Sequence, residues 1–309
     1  NTAVGTYSLL NTNPATAVDM YNTAVGYGSG QNVTTGTFNT LIGGLAGDAI
    51  TTGTRNVALG YNALTSDTLG SKSVAIGLGT LGDQNFTTAT DTFNTAVGHG
   101  AGGAVTTGDN NTLIGGLSGD ALTTGENNTI IGAYAGTHAT NLATGDNNTL
   151  LGTFTDTTAA DTTAAVVLGY NVTGDGGYTT LGDSTNDIRA AHGTATWAAV
   201  SDERYKKDIV DSTAGLSFIN ALKPRTFKYK TLGELPEAFR AYKADSTEVF
   251  KNSDTNHGFI AQEVKTAIDA DSGIKDGFKL WAERDDGGQE LAEAALIPML
   301  TKAVQELST

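Results

Sequence analysis

The chain has 309 residues, a formal net charge of −15 and no cysteine. This acidic balance argues against nucleic acids and anionic membranes as partners, because both require a basic protein surface. The lack of cysteine excludes disulfides and thiolate metal sites. Since no apolar run in the sequence approaches the roughly 18 residues of a membrane span, we expect no membrane insertion. The chain starts inside a repeat, at Asn1, so we expect it to be a piece of a longer protein.

Composition divides the chain near residue 200. Residues 1–200 hold 3 Lys and Arg against 14 Asp and Glu, whereas residues 201–309 hold 15 against 19. The first part is poor in charge and rich in Gly, Thr, Asn and Ala, while the second has the charge density of an ordinary globular domain. We predict a repetitive β-solenoid at residues 1–185, a linker at 186–200 and a small α+β domain at 201–309.

An internal repeat dominates the first part. A five-residue unit such as Asn22-Thr-Ala-Val-Gly26 recurs along it. The closing glycines of the copies are Gly5, Gly26, Gly43, Gly60, Gly77, Gly98, Gly115, Gly132, Gly152, Gly169 and, in a degenerate copy, Gly182. They lie 21, 17, 17, 17, 21, 17, 17, 20, 17 and 13 residues apart. A recurring unit at such intervals is typical of architectures in which each repeat stacks on the next.

The unit has the pattern of a short β-strand that is apolar on both faces. The residue before the glycine is Val, Ile or Leu, and the residue two positions earlier is Thr or Val. These two side chains share one face because side chains alternate along a strand. The residue between them is usually Ala, Leu or Ile, so both faces need cover. Stacked rungs would form a parallel β-solenoid with one face inward, and we expect copies of the same chain to cover the other face.

The glycine and the asparagine of the unit have separate roles. Glycine suits a turn with positive φ or a close approach of two backbones. Asparagine either caps a turn locally or joins a ladder with its equivalents in neighbouring rungs. Thr-Thr-Gly segments ending at Gly36, Gly53, Gly108 and Gly125 predict a second recurring turn. Abundant Gly and Thr disfavour a helix, and the regular spacing of β-branched clusters disfavours disorder.

These repeats resemble the head repeats of trimeric autotransporter adhesins and similar repeats in phage tail fibres. In that family each chain forms a left-handed parallel β-roll, and three rolls pack together. The resemblance covers about 180 residues of the chain. It implies a stiff homotrimeric rod that has no catalytic activity of its own.

Four further motifs follow the last repeat. They are Trp197-Ala-Ala-Val-Ser-Asp-Glu-Arg-Tyr-Lys-Lys-Asp-Ile209, Leu222-Lys-Pro-Arg-Thr-Phe-Lys-Tyr229, His257-Gly-Phe-Ile-Ala-Gln-Glu-Val264 and Leu296-Ile-Pro-Met-Leu-Thr-Lys-Ala-Val-Gln-Glu-Leu307. The set and its order resemble the endosialidase-type intramolecular chaperone at the C-termini of phage tail spikes and fibres. In that family the domain trimerises, guides folding of the fibre before it and then cuts itself off. The resemblance implies a scissile bond between Val200 and Ser201, with Ser201 as nucleophile and Lys206 as base.

The implied chemistry is that of a single-turnover serine endopeptidase. A serine hydroxyl is a weak nucleophile until a base takes its proton, and a lysine can be that base when desolvation or a nearby cation lowers its pKa. Arg204 and Lys207 are such neighbouring cations in the sequence. Attack of Ser201 on the carbonyl of Val200 would give an ester by an N-to-O acyl shift, which water then hydrolyses. Because nucleophile and bond are adjacent in the chain, proximity supplies much of the acceleration.

Alternatives remain for several residues near the cut. Lys207 is interpreted as a solvated surface charge, although a shift of one position would exchange its role with that of Lys206. Asp202, Glu203 and Arg204 are interpreted as local ion-pair or capping partners rather than participants in the chemistry, with Arg204 a possible supporting cation.

The histidines give no sign of a metal site. His257 could orient the cleavage site or polarise the developing oxyanion, but we favour its interpretation as a core or interface histidine. His99, His138 and His192 are single residues in turn-like contexts. The sequence therefore predicts neither a metal nor a cofactor.

The C-terminal segment has the pattern of an amphipathic helix. Apolar residues recur at helical spacing from Glu290 to Leu307, which predicts a helix packed on the core or on a partner. Pro298 would kink this helix or restrict where it starts. In the resembling family the helix often continues into a coiled coil, whereas this sequence stops at Thr309.

Taken together, the motifs predict a segment of a homotrimeric phage tail fibre that still carries its maturation chaperone. Such a protein would assemble in the host cytoplasm and act outside the cell, on the virion, by binding a host-surface receptor such as a glycan or an outer-membrane component. The alternative is a bacterial trimeric adhesin or surface filament with the same chaperone. A glycan-cleaving spike is disfavoured because it needs a carboxylate pair, and the acidic residues of 1–200 are isolated in turns.

Overall fold

The computed structural model describes residues 1–14, 19–184, 186–194, 197–199, 201–275 and 278–309. These residues form two compact units, Asn1–Asp202 and Glu203–Thr309. The first unit is a β-solenoid, and the second is a small α+β unit that ends in a helix. The predicted mainly β architecture is therefore confirmed.

The first unit is built from short strands, most of which come from the five-residue repeat. In chain order they are β1 (Thr2–Val4), β2 (Thr23–Val25), β3 (Thr40–Ile42), β4 (Val57–Leu59), β5 (Gly70–Ser71), β6 (Val74–Ile76), β7 (Thr90–Asp91), β8 (Thr95–Val97), β9 (Thr112–Ile114), β10 (Thr129–Ile131), β11 (Thr149–Leu151), β12 (Asp156–Thr157), β13 (Val166–Tyr170), β14 (Thr173–Gly174), β15 (Tyr178–Asp183), β16 (Asn186–Ala191) and β17 (Ala198–Ala199). The repeat strands thus supply one rung each.

One long sheet joins the rungs. Its order is β1-β2-β3-β4-β6-β8-β9-β10-β11-β13-β15, with neighbouring strands parallel, and β16 and β17 extend it in antiparallel fashion. Equivalent repeat positions pair with each other, as Ala24 does with Leu41. Two small parallel pairs, β5 with β7 and β12 with β14, lie outside this sheet. Within residues 186–200, predicted as a linker, β16 and β17 continue the sheet.

The middle residue of each rung points into the solenoid. From Ala24 in β2 to Val167 in β13, these residues are fully buried. The residues on either side of them in each strand face outward and stay partly exposed, as at Ile42 and Leu151. This outward row of Thr, Val, Ile and Leu side chains is here called the apolar stripe. The alternation expected from the sequence is therefore present. One face of the strands is buried within the chain, and the other is partly exposed in a single copy.

In some rungs of the solenoid interior, a change of size at the strand position is matched by a change at the following turn. In the rung of Leu113 the following turn carries Gly119, and a Cβ built on that glycine would lie 2.9 Å from Leu113 Cδ2. In the rung of Ala75 the corresponding turn position is Leu81, which is also buried. In these two rungs a large strand residue is combined with a glycine and a small one with a leucine, which keeps the local packing dense.

The repeat glycines allow adjacent backbones to approach closely. Gly26 has φ 133°, and a Cβ built on it would lie 2.5 Å from the carbonyl oxygen of Gly43 in the next rung. Any side chain there would collide with backbone that cannot move away cheaply. The sequence expectation of positive φ and close approach holds for this glycine on both counts.

The repeat asparagines form a buried ladder. The backbone N–H of Asn39 donates to Oδ1 of Asn22 at 2.8 Å, and the N–H of Asn56 donates to Oδ1 of Asn39 at 2.9 Å. Asn39 also donates through Nδ2 to the carbonyl oxygen of Gly53 at 2.9 Å. Each side chain thus ties one rung to the next and also holds a turn, so the ladder expectation is confirmed.

The ladder is interrupted at Ser73, where a buried polar network replaces the amide. Gln84 donates through Nε2 to Oδ2 of Asp67 at 2.6 Å and to Oγ of Ser73 at 2.9 Å. Its Oε1 accepts a hydrogen bond from Nδ2 of Asn94 at 2.9 Å, which reconnects the ladder. Burial raises the pKa of Asp67, because desolvation of the carboxylate outweighs the hydrogen bonds that it accepts.

The second unit combines helices with two small antiparallel sheets. Its elements are α1 (Leu216–Ala221), β18 (Arg225–Phe227), β19 (Asn256–Gly258), α2 (Ala261–Ala270), β20 (Trp281–Glu283), β21 (Gln289–Leu291) and α3 (Ile297–Leu307), with 3₁₀ turns at Glu203–Tyr205, Leu232–Glu234 and Glu293–Leu296. β18 pairs with β19, and β20 pairs with β21. Its core contains Phe218, Val264, Ile268 and Leu280.

The C-terminal helix is shorter than the sequence pattern predicts. Glu290 lies in β21, where it pairs with Ala282, and the α-helix begins only at Ile297. The predicted start at Glu290 is therefore wrong, because strand pairing overrides the apolar periodicity. Pro298 sits in the first turn of α3, where its missing N–H costs no hydrogen bond. Near the other end, Glu306 accepts the backbone N–H of Leu216 at 2.8 Å and so ties α3 to α1.

Candidate active site

The chain reaches the predicted nucleophile along a paired strand. β17 runs antiparallel to β16, with Ala198 opposite Arg189 and Ala199 opposite Ile188. Val200, the predicted residue before the cut, lies outside the described residues. Ser201 is solvent-exposed and is the last residue but one of the first unit.

Ser201 lines a cavity of about 380 Å³. The lining residues are Thr173, Asp175, Thr180, Asp187, Arg189, Ala198, Ser201 and Asp202. All of them belong to the first unit, and the residues other than Ser201 and Asp202 come from the end of the solenoid. The predicted nucleophile is thus placed beside a polar pocket that the last strands build; this pocket is here called the terminal cavity.

The terminal cavity contains a fixed cation and a buried hydroxyl. Arg189 forms an ion pair with Asp175, and its guanidinium lies 4.9 Å from the centre of the Tyr178 ring. Thr180 is 1% exposed, and its Oγ1 has no hydrogen-bond partner among the described residues. Thr180 occupies the position that is apolar in the earlier rungs, so the solenoid core ends in a hydroxyl at this cavity.

The predicted base belongs to the second unit. Residues Glu203–Tyr205 form one 3₁₀ turn, and the backbone N–H of Lys206 donates to the carbonyl oxygen of Glu203 at 2.9 Å. The side chains of Arg204, Lys206 and Lys207 are solvent-exposed in the single chain. The pairing of Ser201 with Lys206, and the preference for Lys206 over Lys207, stay predictions.

His257 lies on β19, opposite Thr226 of β18, and is solvent-exposed in the single chain. The neighbouring Arg225 donates through Nε to Oε2 of Glu263 in α2 at 2.9 Å. These hydrogen bonds from Arg225 lower the pKa of Glu263. The histidine thus stands on a small sheet that an ion pair fastens to α2, and its supporting role at the cut stays a prediction.

Two searches of the described residues bear on other kinds of site. No group of three His, Cys, Asp or Glu side chains in this part of the chain is arranged to hold a metal ion. No described helix combines the length and the apolar character needed to cross a membrane. The predicted nucleophile Ser201 lines the terminal cavity, which is the site considered further.

Sequence reasoning missed the contribution of the solenoid to this site. Asp175 and Thr180 lie in repeats that were interpreted as structural, and Arg189 lies in the stretch 186–200 that was predicted as a linker. Two signals in the sequence pointed to them. Arg189 is one of only 3 cationic residues in the first 200, and Thr180 replaces an apolar residue at the middle position of a rung.

The comparisons with known proteins point to the same segment. A family model described as "Chaperone of endosialidase" matches residues 201–272. The match begins at the predicted nucleophile and includes the second and third motifs, whereas α3 lies beyond it. A search of curated proteins and a search of solved structures each found no match. The chain thus joins a repeat solenoid to a segment that matches a chaperone family, and this match implies self-cleaving chaperone activity.

Proposed function

We propose that residues 201–309 are an intramolecular chaperone that trimerises the solenoid, assists its folding and then cuts the chain before Ser201. The observation that carries this proposal is the family match, which starts at the residue that the motif assigns as the nucleophile. The preceding strand supports it, because β17 holds the two alanines before Val200 in extended form against β16. Chains bound as added strands are a common mode of peptide recognition.

The cut follows a serine–lysine mechanism in this proposal. Lys206 takes the proton of the Ser201 hydroxyl as Oγ attacks the carbonyl carbon of Val200. The carbon–nitrogen bond breaks, the nitrogen of Ser201 receives a proton, and an ester remains between Val200 and Oγ. Water then hydrolyses this ester to give a carboxylate at Val200 and Ser201 with a new amino terminus.

Lys206 supports a dependence of the cut on assembly. A lysine becomes a useful base when its surroundings exclude water. In the single chain Lys206 is exposed, and so are its neighbours Tyr205, Ile209 and Val210. Association of copies would cover such a surface, so the cut would follow trimerisation rather than precede it.

Two apolar surfaces support a homotrimer. The apolar stripe of the solenoid offers an outward hydrophobic row in successive rungs. On α3 the exposed apolar residues are Ile297, Leu300, Val304 and Leu307. Their spacing of three, four and three residues is that of a coiled-coil seam. Soluble single chains rarely leave such contiguous apolar surface open to water, so we assign both surfaces to contacts between copies.

We further propose that the trimer is a phage tail-fibre segment that acts on the virion, outside the cell, after assembly in the host cytoplasm. Its receptor would be a host-surface glycan or outer-membrane component. The longer repeats support a binding role because their extra residues form held loops. In one of them Asp156 Oδ2 accepts the backbone N–H groups of Ala139 at 2.6 Å and Thr140 at 2.7 Å. A rigid scaffold with fixed loops is a common arrangement for binding surfaces.

The cleavage proposal is tested by expressing the full chain with Ser201→Ala and with the exposed control Ser253→Ala. We expect the control to yield two fragments on a denaturing gel, one of which starts at Ser201 by mass spectrometry, and Ser201→Ala to stay whole yet trimeric. Fragments of unchanged size from Ser201→Ala would overturn the assignment. The same gel distinguishes the roles of the two lysines, because Lys206→Met should stop the cut and Lys207→Met should not.

The attachment proposal is tested with the cleaved trimer, labelled and added to a panel of bacterial strains and purified surface glycans. A variant in which residues 137–141 are removed from the longer repeat is the matched control. We expect saturable binding that the variant loses. Equal binding by the variant would remove this loop from the receptor surface, and the lack of binding across the panel would count against attachment.

A further inference from the structure

The terminal cavity suggests that the solenoid takes part in the cut, and this inference rests on the proposed function. The cavity is lined by β14, β15, β16 and β17 and the turns between them, together with Ser201 and Asp202. The match to the chaperone family begins only at Ser201. Most of the wall beside the predicted nucleophile is therefore made by the solenoid, which would stay as the fibre after the cut.

The electrostatics of this wall suit one step of the reaction. When Oγ attacks the carbonyl carbon, the carbonyl oxygen gains a negative charge that a fixed cation or hydrogen-bond donor must stabilise. Arg189 is the cation among the described lining residues, whereas Asp175, Asp187 and Asp202 are acidic. Asp175 forms an ion pair with it, and the ring of Tyr178 lies beside its guanidinium. These two contacts orient the half-exposed guanidinium, so it needs less reorganisation when the charge develops.

The pairing of strands places Arg189 opposite the strand that leads to Ser201. Arg189 lies directly opposite Ala198, which precedes Ser201 by three residues. On its other side it lies opposite Thr180 of β15. The hydroxyl of Thr180 is buried at the same cavity without a partner among the described residues. A cation and an unused donor thus line the cavity that Ser201 also lines.

We propose that Arg189 stabilises the oxyanion formed on the carbonyl of the residue before Ser201, so that the folded end of the solenoid completes the cleavage site. The bond changes are those of the serine–lysine mechanism, and Arg189 gains and loses no proton. It lowers the energy of the tetrahedral intermediate by its positive charge and its N–H donors. The cut then depends on the β15–β16 hairpin being formed, which makes release of the chaperone conditional on a folded fibre end.

The test compares Arg189→Gln and Arg189→Lys in the full chain, with Lys72→Gln as the control. Lys72 forms an ion pair with Asp91 at 2.6 Å elsewhere in the solenoid, so its removal matches the loss of a surface ion pair without touching the terminal cavity. The rate at which the fragment beginning at Ser201 appears is followed by mass spectrometry. We expect Arg189→Gln to slow the cut about 10²-fold, Arg189→Lys to slow it less, and Lys72→Gln to leave the rate unchanged.

A chemical rescue separates an electrostatic role from a structural one. In Arg189→Ala, millimolar guanidinium should restore part of the cleavage rate, whereas it should not accelerate the control or the wild type. Wild-type rates in Arg189→Gln, or slow cleavage with no rescue, would overturn the inference. If Arg189→Gln does not assemble, the cleavage rate of Arg189→Lys is used instead. A wild-type rate in Arg189→Lys would then overturn the inference. Failure of the wild-type chain to cut before Ser201 is a different result, because that would overturn the proposed function itself.

Discussion

The solenoid and the C-terminal unit close their cores in different ways. Most rungs of the solenoid repeat one arrangement, in which the middle residue is buried, an asparagine bonds the next rung and a glycine lets the backbones approach closely. In residues 203–309 the core is smaller, and large apolar side chains such as Val210 and Leu307 stay exposed, at 85% and 70%. The solenoid therefore buries its core residues within one chain, whereas the C-terminal unit leaves large apolar side chains exposed, which we propose other copies cover.

The largest expected effect tests whether α3 depends on other copies. Val304 is 62% exposed on the outward side of α3. If this side forms a three-stranded seam, Val304→Glu would bury a carboxylate without a partner in each chain, which costs several kcal/mol and prevents association. We expect monomers or aggregates in size-exclusion chromatography with light scattering, and no cut on the gel.

Gln305→Glu is the matched control for this charge. It lies next to Val304 on the same helix and is already polar and exposed. We expect this control to assemble like the wild type. A trimer of normal mass from Val304→Glu would show that the exposed row of α3 is not an interface.

The next effect tests whether the ladder stabilises the solenoid within each chain. Asn111 donates through Nδ2 to the carbonyl oxygen of Gly125 at 2.9 Å, and its Oδ1 accepts the N–H of Asn128 at 3.0 Å. Asn111→Ala would leave both buried groups unpaired, so we expect a loss of about 2–4 kcal/mol per chain. Urea unfolding followed by circular dichroism measures this loss.

An exposed asparagine pair gives the comparison for that loss. Asn11 bonds Asn32 at the surface, where water can replace the missing partner. Asn11→Ala should therefore cost less than about 0.5 kcal/mol. Equal losses in the two variants would mean that the ladder contributes no more than a surface contact.

The smallest expected effect is a pH dependence of stability that arises from Asp67 in the interrupted rung. Burial raises the folded pKa of Asp67 above its ordinary value of 3.8, so the folded state holds the proton more tightly than the unfolded state does. Its stabilising contribution is complete below the unfolded pKa and is lost as pH rises through the folded pKa. We expect the melting temperature of the wild type, relative to that of Asp67→Asn, to fall as the pH rises from about 3.8. A constant difference between pH 3 and pH 7, or one that grows in favour of the wild type, would contradict the raised pKa.

Local repetition explains which parts of the fold the sequence predicted. The strand Thr-Ala-Val of residues 23–25 could be assigned because its alternation recurs in every rung, and Gly26 marked the close approach by its constant position. The start of α3 was misplaced because residues 289–291 pair with a distant segment, which no local period reports. The terminal cavity was missed for the same reason, since Arg189 and Thr180 come to line one cavity with Ser201 only after the strands have paired.

A chain of nearly identical rungs has a problem of registration, and the interrupted ladder supplies a solution. A strand could pair one repeat out of register and still find apolar neighbours, a glycine and an asparagine. The rung of Ser73 tolerates no such exchange, because Gln84 must find Asp67 on one side and Asn94 on the other. A shift of register would leave the buried carboxylate of Asp67 without its hydrogen-bond donor Gln84. The irregular rung therefore fixes the register of strand pairing in a structure whose other rungs are nearly interchangeable.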